Sequence, residues 1–273
     1  MTEDWGGMNR AARDAAYNNT AACPAGPAYM DALRAASAAF RTRYPAHLDL
    51  AYGPTQREAC DLFPNAPGSD CLVFIHGGYW QRNDREGAAA LMEAALASGW
   101  SAALPGYTLA PDATLTAIVA QITAALDWLA RHGPAHGIGG RIVVAGWSAG
   151  GHLAAMALSH PAVSAALPIS GVFELGPIRD TYLNEKLALT DVEVATLSPL
   201  RLPAPDKPMA LAYGSAELPA LVADSRRLHA RRAGLHRPGA LLPIAHADHF
   251  TVLDALRSPG GPLLALARSL LAA

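Results

Sequence analysis

RIVVAGWSAGGHLAAMA, residues 141–157, is the stretch around which the rest of the chain arranges itself. Its apolar opening reads as a buried strand, and its alanine-rich close reads as a helix. Between them stands Gly146-Trp147-Ser148-Ala149-Gly150, which fits the pattern Gly-x-Ser-x-Gly. A strand that turns this sharply into a helix forces the central residue into a strained backbone conformation. The residues two before and two after it approach so closely that a Cβ would clash, hence glycine at both. The turn lifts the Ser148 hydroxyl above the sheet and aims free helix N-terminal amides at any negative charge forming there. Ser148 is therefore the candidate nucleophile; the competing reading is a glycine turn with an idle serine.

A serine nucleophile needs donors for the charge that builds on the substrate oxygen. One is the amide after the serine, Ala149. Another belongs in a loop after an earlier strand, and CLVFIHGG (71–78) supplies a buried strand running into glycines. The expectation is an oxyanion hole made by the amides of Gly78, Tyr79 and Ala149, with Gly77 as a lesser contributor. His76 braces that loop rather than entering the chemistry.

The rest of the chain repeats the alternation. LDLAY (48–52), WSAALPGY (100–107), AALPIS (165–170), MALAYG (209–214) and GALLPI (239–244) read as strands, with helices over 85–98, 112–131, 148–160 and after 219. Strands apolar throughout and separated by helices predict an α/β fold with a doubly wound, mostly parallel sheet covered by helices on both faces. No linker divides the chain, so one domain is expected over 1–273, with an N-terminal helical segment to about 45 and a proline-punctuated cap or lid excursion over 171–208.

At 273 residues, 51% hydrophobic and 16% charged, the chain can bury a large core without a structural metal or disulfides. A formal net charge of −2 favours neither nucleic acid nor an anionic membrane as partner. The start, MTEDWGGMNR, lacks the pattern of a secretory signal, and no apolar run reaches membrane-spanning length. The three cysteines, Cys23, Cys60 and Cys71, form no CxxC pair and no metal-ligand spacing. They read as reduced thiols in a cytoplasmic protein, with a Cys60–Cys71 bridge the less favoured alternative. No cofactor or metal is expected, and a homodimer is left open.

In this architecture the triad order is serine, acid, histidine. The base belongs in the loop after the last strand, where AHADHF offers His246 and His249. The acid belongs after MALAYG, where Glu217 stands, with Asp224 as fallback inside the following helix.

Together these residues resemble an α/β-hydrolase, and more narrowly the kynurenine formamidase (arylformamidase) family. The resemblance runs through RDAAYNN (13–19), DLFP (61–64), HGGYWQ (76–81), WSAGGHLAAM (147–156), SGVFEL (170–175), LSPL (197–200), AYGSAELP (212–219) and ADHF (247–250). It implies Ser148 as nucleophile, Glu217 as acid and, through the DHF context, His249 rather than His246 as base. Two departures stand out: Trp147 where relatives often carry histidine, and Glu217 where animal members have aspartate. The resemblance implies hydrolysis of N-formyl-L-kynurenine to formate and kynurenine. An aromatic pocket of Tyr79, Trp80, Trp147, Phe173 and Tyr182 would suit such a small aromatic acyl substrate. The rivals are a carboxylesterase for small aryl or short-acyl esters, with identical machinery, and a binding protein that has kept the scaffold without catalysis.

Overall fold

Val143, Val144 and Ala145 are all fully buried, and a strand apolar on both sides needs cover on both sides. A computed structural model, describing residues 7–237 and 239–272, places that strand in the middle of an eight-stranded sheet. The strands are β1 (His47–Ala51), β2 (Ala59–Phe63), β3 (Cys71–Ile75), β4 (Ser101–Pro105), β5 (Ile142–Trp147), β6 (Val163–Ile169), β7 (Leu211–Gly214) and β8 (Leu241–Ile244). Their order is β1-β2-β4-β3-β5-β6-β7-β8. The β1/β2 and β2/β4 pairs are antiparallel and all others are parallel.

Successive residues of each strand feed opposite cores, as the two-residue period requires. Val73 and Val144 pack with Leu126, Leu153 and Leu221 from the helices Leu115–His132, Ala149–Ala157 and Pro219–Gly234. Leu72, Phe74 and Val143 pack with Phe40, Leu263 and Leu264 from Gly26–Arg43 and Pro262–Ser269 on the other side. The doubly wound sheet expected from the sequence is the one observed.

One strand, β2, was not expected. Its sequence, ACDLF, carries a carboxylate at its centre, which interrupts the apolar run that marks a buried strand. Asp61 is nonetheless fully buried, because Arg41 and Arg85 close on it at 2.9 and 3.2 Å. A charge with two guanidinium partners can be tolerated inside where a lone one cannot.

Of the N-terminal helical segment expected to about 45, residues 1–6 lie outside the described residues. The remainder forms Arg10–Ala16, Asn19–Ala22 and Gly26–Arg43. The first two helices are opened by Asn9 and Asn18, whose side chains accept from the amides of Ala12 and Ala21. The 171–208 excursion carries three short helices, Leu175–Arg179, Asn184–Leu187 and Asp191–Leu197. Glu193, in a capping box with Thr190, also accepts from the Thr116 amide at 3.0 Å and so ties the excursion to the helix Leu115–His132. Cys23, Cys60 and Cys71 are free and buried. Among the described residues, no helix is long and apolar enough to cross a membrane.

Candidate active site

Strand β5 ends at Trp147, the helix begins at Ala149, and Ser148 between them has φ 58° and ψ −118°. That is sparsely populated backbone for an L-residue, held by the packing around it. A Cβ on Gly146 would lie 2.1 Å from the Gly150 carbonyl oxygen, and one on Gly150 would lie 2.0 Å from that of Ile75. Both glycines of the pattern are thus required by backbone-to-backbone contact. The Ser148 amide is anchored to the Ile169 carbonyl at 2.8 Å, so β6 holds the corner in place.

The loop after β3 lies against this corner: a Cβ on Gly77 would sit 2.6 Å from the Trp147 carbonyl oxygen. Gly78, Tyr79 and Trp80 follow one another at positive φ (112°, 52° and 58°). The amides of Gly78, Tyr79 and Ala149 donate to no acceptor among the described residues, which leaves all three available to a ligand. The loop is pinned through the Tyr79 phenol, which donates to the Tyr17 carbonyl at 2.7 Å and accepts from Asn19 Nδ2 at 3.0 Å. His76 stacks on Tyr107 with ring centroids 4.3 Å apart and holds Nδ1 2.9 Å from the Gly77 carbonyl oxygen. Burial pulls His76 down to about 4, so near neutrality it is an uncharged brace.

Glu217 follows β7 and His249 follows β8, and the two meet. His249 Nδ1 lies 2.8 Å from Glu217 Oε2, with both side chains buried. The other carboxylate oxygen, Oε1, accepts from the Gly214 amide at 2.6 Å and from the buried Ser170 hydroxyl. Trp147 Nε1 donates to the His249 carbonyl at 2.7 Å, so the indole clamps the histidine loop. Ser148 and His249 border one cavity of about 230 Å³, together with Gly78, Tyr79, Trp147 and Phe250. Among the described residues no hydrogen bond joins the Ser148 hydroxyl to His249; such contacts are often loose before substrate binds. An imidazole and an alcohol bordering one cavity with Gly78 and Tyr79, and the unpaired Ala149 amide next to the alcohol in the chain, can perform acyl transfer.

His246 is exposed, and its amide is tied to Ser215 Oγ at 2.8 Å, away from the cavity. Asp224 is buried and accepts from the amides of Phe173 and Glu174 at 2.7 and 3.0 Å, bracing the turn after β6. The fallback acid is therefore committed elsewhere. Desolvation pushes its carboxyl up to about 7, against the pull of those two amides.

The expected aromatic pocket needs correction. Trp80 and Phe173 are both fully buried in the core, Trp80 edge-on to His152 and Phe173 against Gly171, and neither borders the cavity. Tyr79, the preceding residue, does line the cavity. Tyr182 is half-buried in the excursion and lies outside the cavity lining; Trp147 does line it. The sequence reading gave no role to the residues that complete the wall, among them Asn19, Met30, Arg34 and Arg82. Nor did it find Ser170, the second anchor of Glu217. RDAAYNN was the one signal that pointed towards Asn19.

His152, on the helix after Ser148, provides a test of this packing. Its Nε2 donates to the Leu197 carbonyl at 2.7 Å, and burial pulls the ring down to about 4. The folded ring therefore stays neutral until about pH 4, whereas the unfolded side chain takes up a proton near 6.5. Its contribution to stability is complete above pH 6.5 and is lost as pH falls towards 4. In urea unfolding across pH 4–7, the stability margin of the wild type over His152→Gln is expected to narrow on acidification. A margin independent of pH would contradict the buried, neutral assignment.

The chain is similar to one family model and to several known hydrolases. The BD-FAE family matches residues 63–165, which hold the loop after β3 and the Ser148 corner. A kynurenine formamidase of Danio rerio is 25% identical over 248 residues, covering 84% of this chain and 83% of the relative. Esterase LipQ of Mycobacterium tuberculosis is 31% identical over 156 residues, covering 49% of this chain and 37% of that protein. Among solved structures, a candidate thioesterase from a Silicibacter species superposes with a TM-score of 0.84 at 30% identity, covering 93% of this chain and 98% of that one. Esterase B of Lactobacillus rhamnosis superposes with a TM-score of 0.71 at 18% identity, covering 93% and 96%, a likeness of fold.

Proposed function

The chain belongs to the kynurenine formamidase-like family of α/β-hydrolases, and from that premise we propose that it is a serine hydrolase that cleaves N-formyl-L-kynurenine into formate and kynurenine. One observation carries the serine mechanism: His249, paired with the buried Glu217, borders the same cavity as Ser148, Gly78 and Tyr79, and the amides of Gly78, Tyr79 and Ala149 have no acceptor among the described residues.

Glu217 holds the Nδ1–H of His249 and leaves Nε2 as an acceptor. As Ser148 Oγ attacks the formyl carbon, His249 Nε2 takes the hydroxyl proton, and the carbonyl π electrons pass to an oxyanion. The amides of Gly78, Tyr79 and Ala149 receive that charge, and Glu217 stabilises the imidazolium. The imidazolium then protonates the departing aryl nitrogen, the C–N bond breaks, and a formyl ester remains on Ser148. Water enters, gives a proton to His249 and attacks the ester; the same proton returns to Ser148 Oγ as formate leaves.

A carboxylesterase for small aryl esters is the second reading, favoured by the esterases among the relatives, and it uses identical steps. Comparing kcat/KM for N-formyl-L-kynurenine with that for aryl esters separates the two. The formamide is expected to match or exceed the esters; a deficit of several orders of magnitude would overturn the formamidase reading. A stoichiometric burst with p-nitrophenyl acetate is the expected mark of an enzyme, and failure of a fluorophosphonate to label the wild type would leave only the binding-protein reading.

A further inference from the structure

The formamidase reading concerns the bond that breaks; the far wall of the same cavity concerns what hangs from it. Asn19 borders that wall and is 4% exposed. The orientation of its carboxamide follows from the surrounding hydrogen bonds. The Tyr79 phenol has one proton, and the Tyr17 carbonyl, which can only accept, takes it at 2.7 Å. Asn19 must therefore donate to the phenol, through Nδ2 at 3.0 Å, which turns Oδ1 the other way. That Oδ1 is buried and has no hydrogen-bond partner. A buried acceptor left unmatched destabilises the fold unless something fills it.

Arg82 borders the same cavity and is exposed, with no carboxylate partner among the described residues. Arg34, on the same rim, is by contrast paired with Asp31 at 2.9 Å. Arg82, Asn19 and the tyrosine whose phenol Asn19 bonds all line this one cavity.

A lone rim arginine would ordinarily be a solvated charge. On a cavity that is also bordered by a residue with an unmatched buried acceptor, it completes a complementary pair. We propose that Asn19 and Arg82 are specificity-determining residues that recognise an α-amino acid head group on the leaving portion of the substrate. Arg82 takes the carboxylate, and Asn19 Oδ1 accepts from the ammonium. The inference rests on the formamidase reading for the reacting bond and adds the group that selects the substrate.

The test measures kcat/KM for N-formyl-L-kynurenine, its decarboxylated analogue and its desamino analogue, with wild type, Arg82→Gln and Asn19→Leu. Loss of the carboxylate is expected to cost the wild type roughly 10- to 100-fold, the usual scale for a charge-assisted hydrogen bond. In Arg82→Gln the ratio between full and decarboxylated substrates is expected to fall to near one. In Asn19→Leu the ratio between full and desamino substrates is expected to do the same. Should Asn19→Leu slow every substrate alike, Asn19 serves only to hold Tyr79, and its half of the inference is overturned. Should the wild type ignore the carboxylate, the other half fails, and Arg82→Gln, an exposed site, reports it whatever Asn19→Leu does to folding. Aryl esters carrying the same three head groups repeat the comparison independently of the scissile bond. A head-group preference on esters with poor formamide turnover would thus defeat the formamidase reading and leave the recognition intact.

Discussion

Ser148→Ala is expected to lower kcat by roughly 10⁵–10⁶-fold while leaving the protein folded. Alanine needs no more room than serine at φ 58°, and the corner's anchors are main-chain: the Ser148 amide on Ile169 and the close approach of Gly146 to Gly150. The substitution therefore removes one oxygen and little else. What remains is the set of three amides, which can still polarise a carbonyl but has no internal nucleophile to present to it. Single-turnover kinetics should show no acyl-enzyme burst, and a fluorophosphonate should label the wild type alone. His249→Ala is expected to fall nearly as far, because the alcohol without its base is a weak nucleophile. The two losses should not add, since each disables the same proton transfer. If His249→Ala turned over near normally, the base would have to be His246, which the structure shows facing solvent. Retention of a burst in Ser148→Ala would remove the serine mechanism altogether.

What the sequence made legible and what it hid follow from the range of the forces involved. The Ser148 corner is a local device in its pattern, with strand, strained residue and helix contiguous; Gly146 is required by Gly150 four residues on, although Gly150 itself is required by the distant Ile75 carbonyl of β3. The loop after β3 is equally local. The meeting of Glu217 with His249 could be anticipated because parallel strands of such a sheet deliver their following loops to one edge. The far wall was not legible. Asn19 and Arg82 sit 63 positions apart in the sequence, and only the packing of the N-terminal helices over the sheet edge brings them to one cavity. Trp80 and Phe173 show the converse error: closeness to a motif in sequence does not place a side chain in the site. Backbone direction decides, and it sends the Trp80 indole towards His152. Asp61 hid β2 for a related reason, because its neutralising arginines come from distant segments.

Glu217→Gln is the sharper test of the acid, because it keeps the shape and removes one acceptor. The carboxylate uses both oxygens: Oε2 for the His249 Nδ1–H, Oε1 for the Gly214 amide and the Ser170 hydroxyl. A carboxamide has one oxygen, so one side of this arrangement must fail. If the oxygen stays with Gly214, the NH₂ faces His249 Nδ1, which must then accept. The ring proton moves to Nε2, the nitrogen that has to receive the Ser148 proton, and the base is disabled in the wrong tautomer. If the amide flips, NH₂ confronts the Gly214 N–H, and two buried donors oppose each other. The first arrangement costs less, so the expected result is a folded protein whose kcat is lower by roughly 10⁴-fold, with KM nearly unchanged. The loss should be smaller than for Ser148→Ala, since the nucleophile and the amides persist. A loss below tenfold would mean that the His249 tautomer is set by something other than Glu217, and the carboxylate would then be a structural bridge between the loops after β6, β7 and β8.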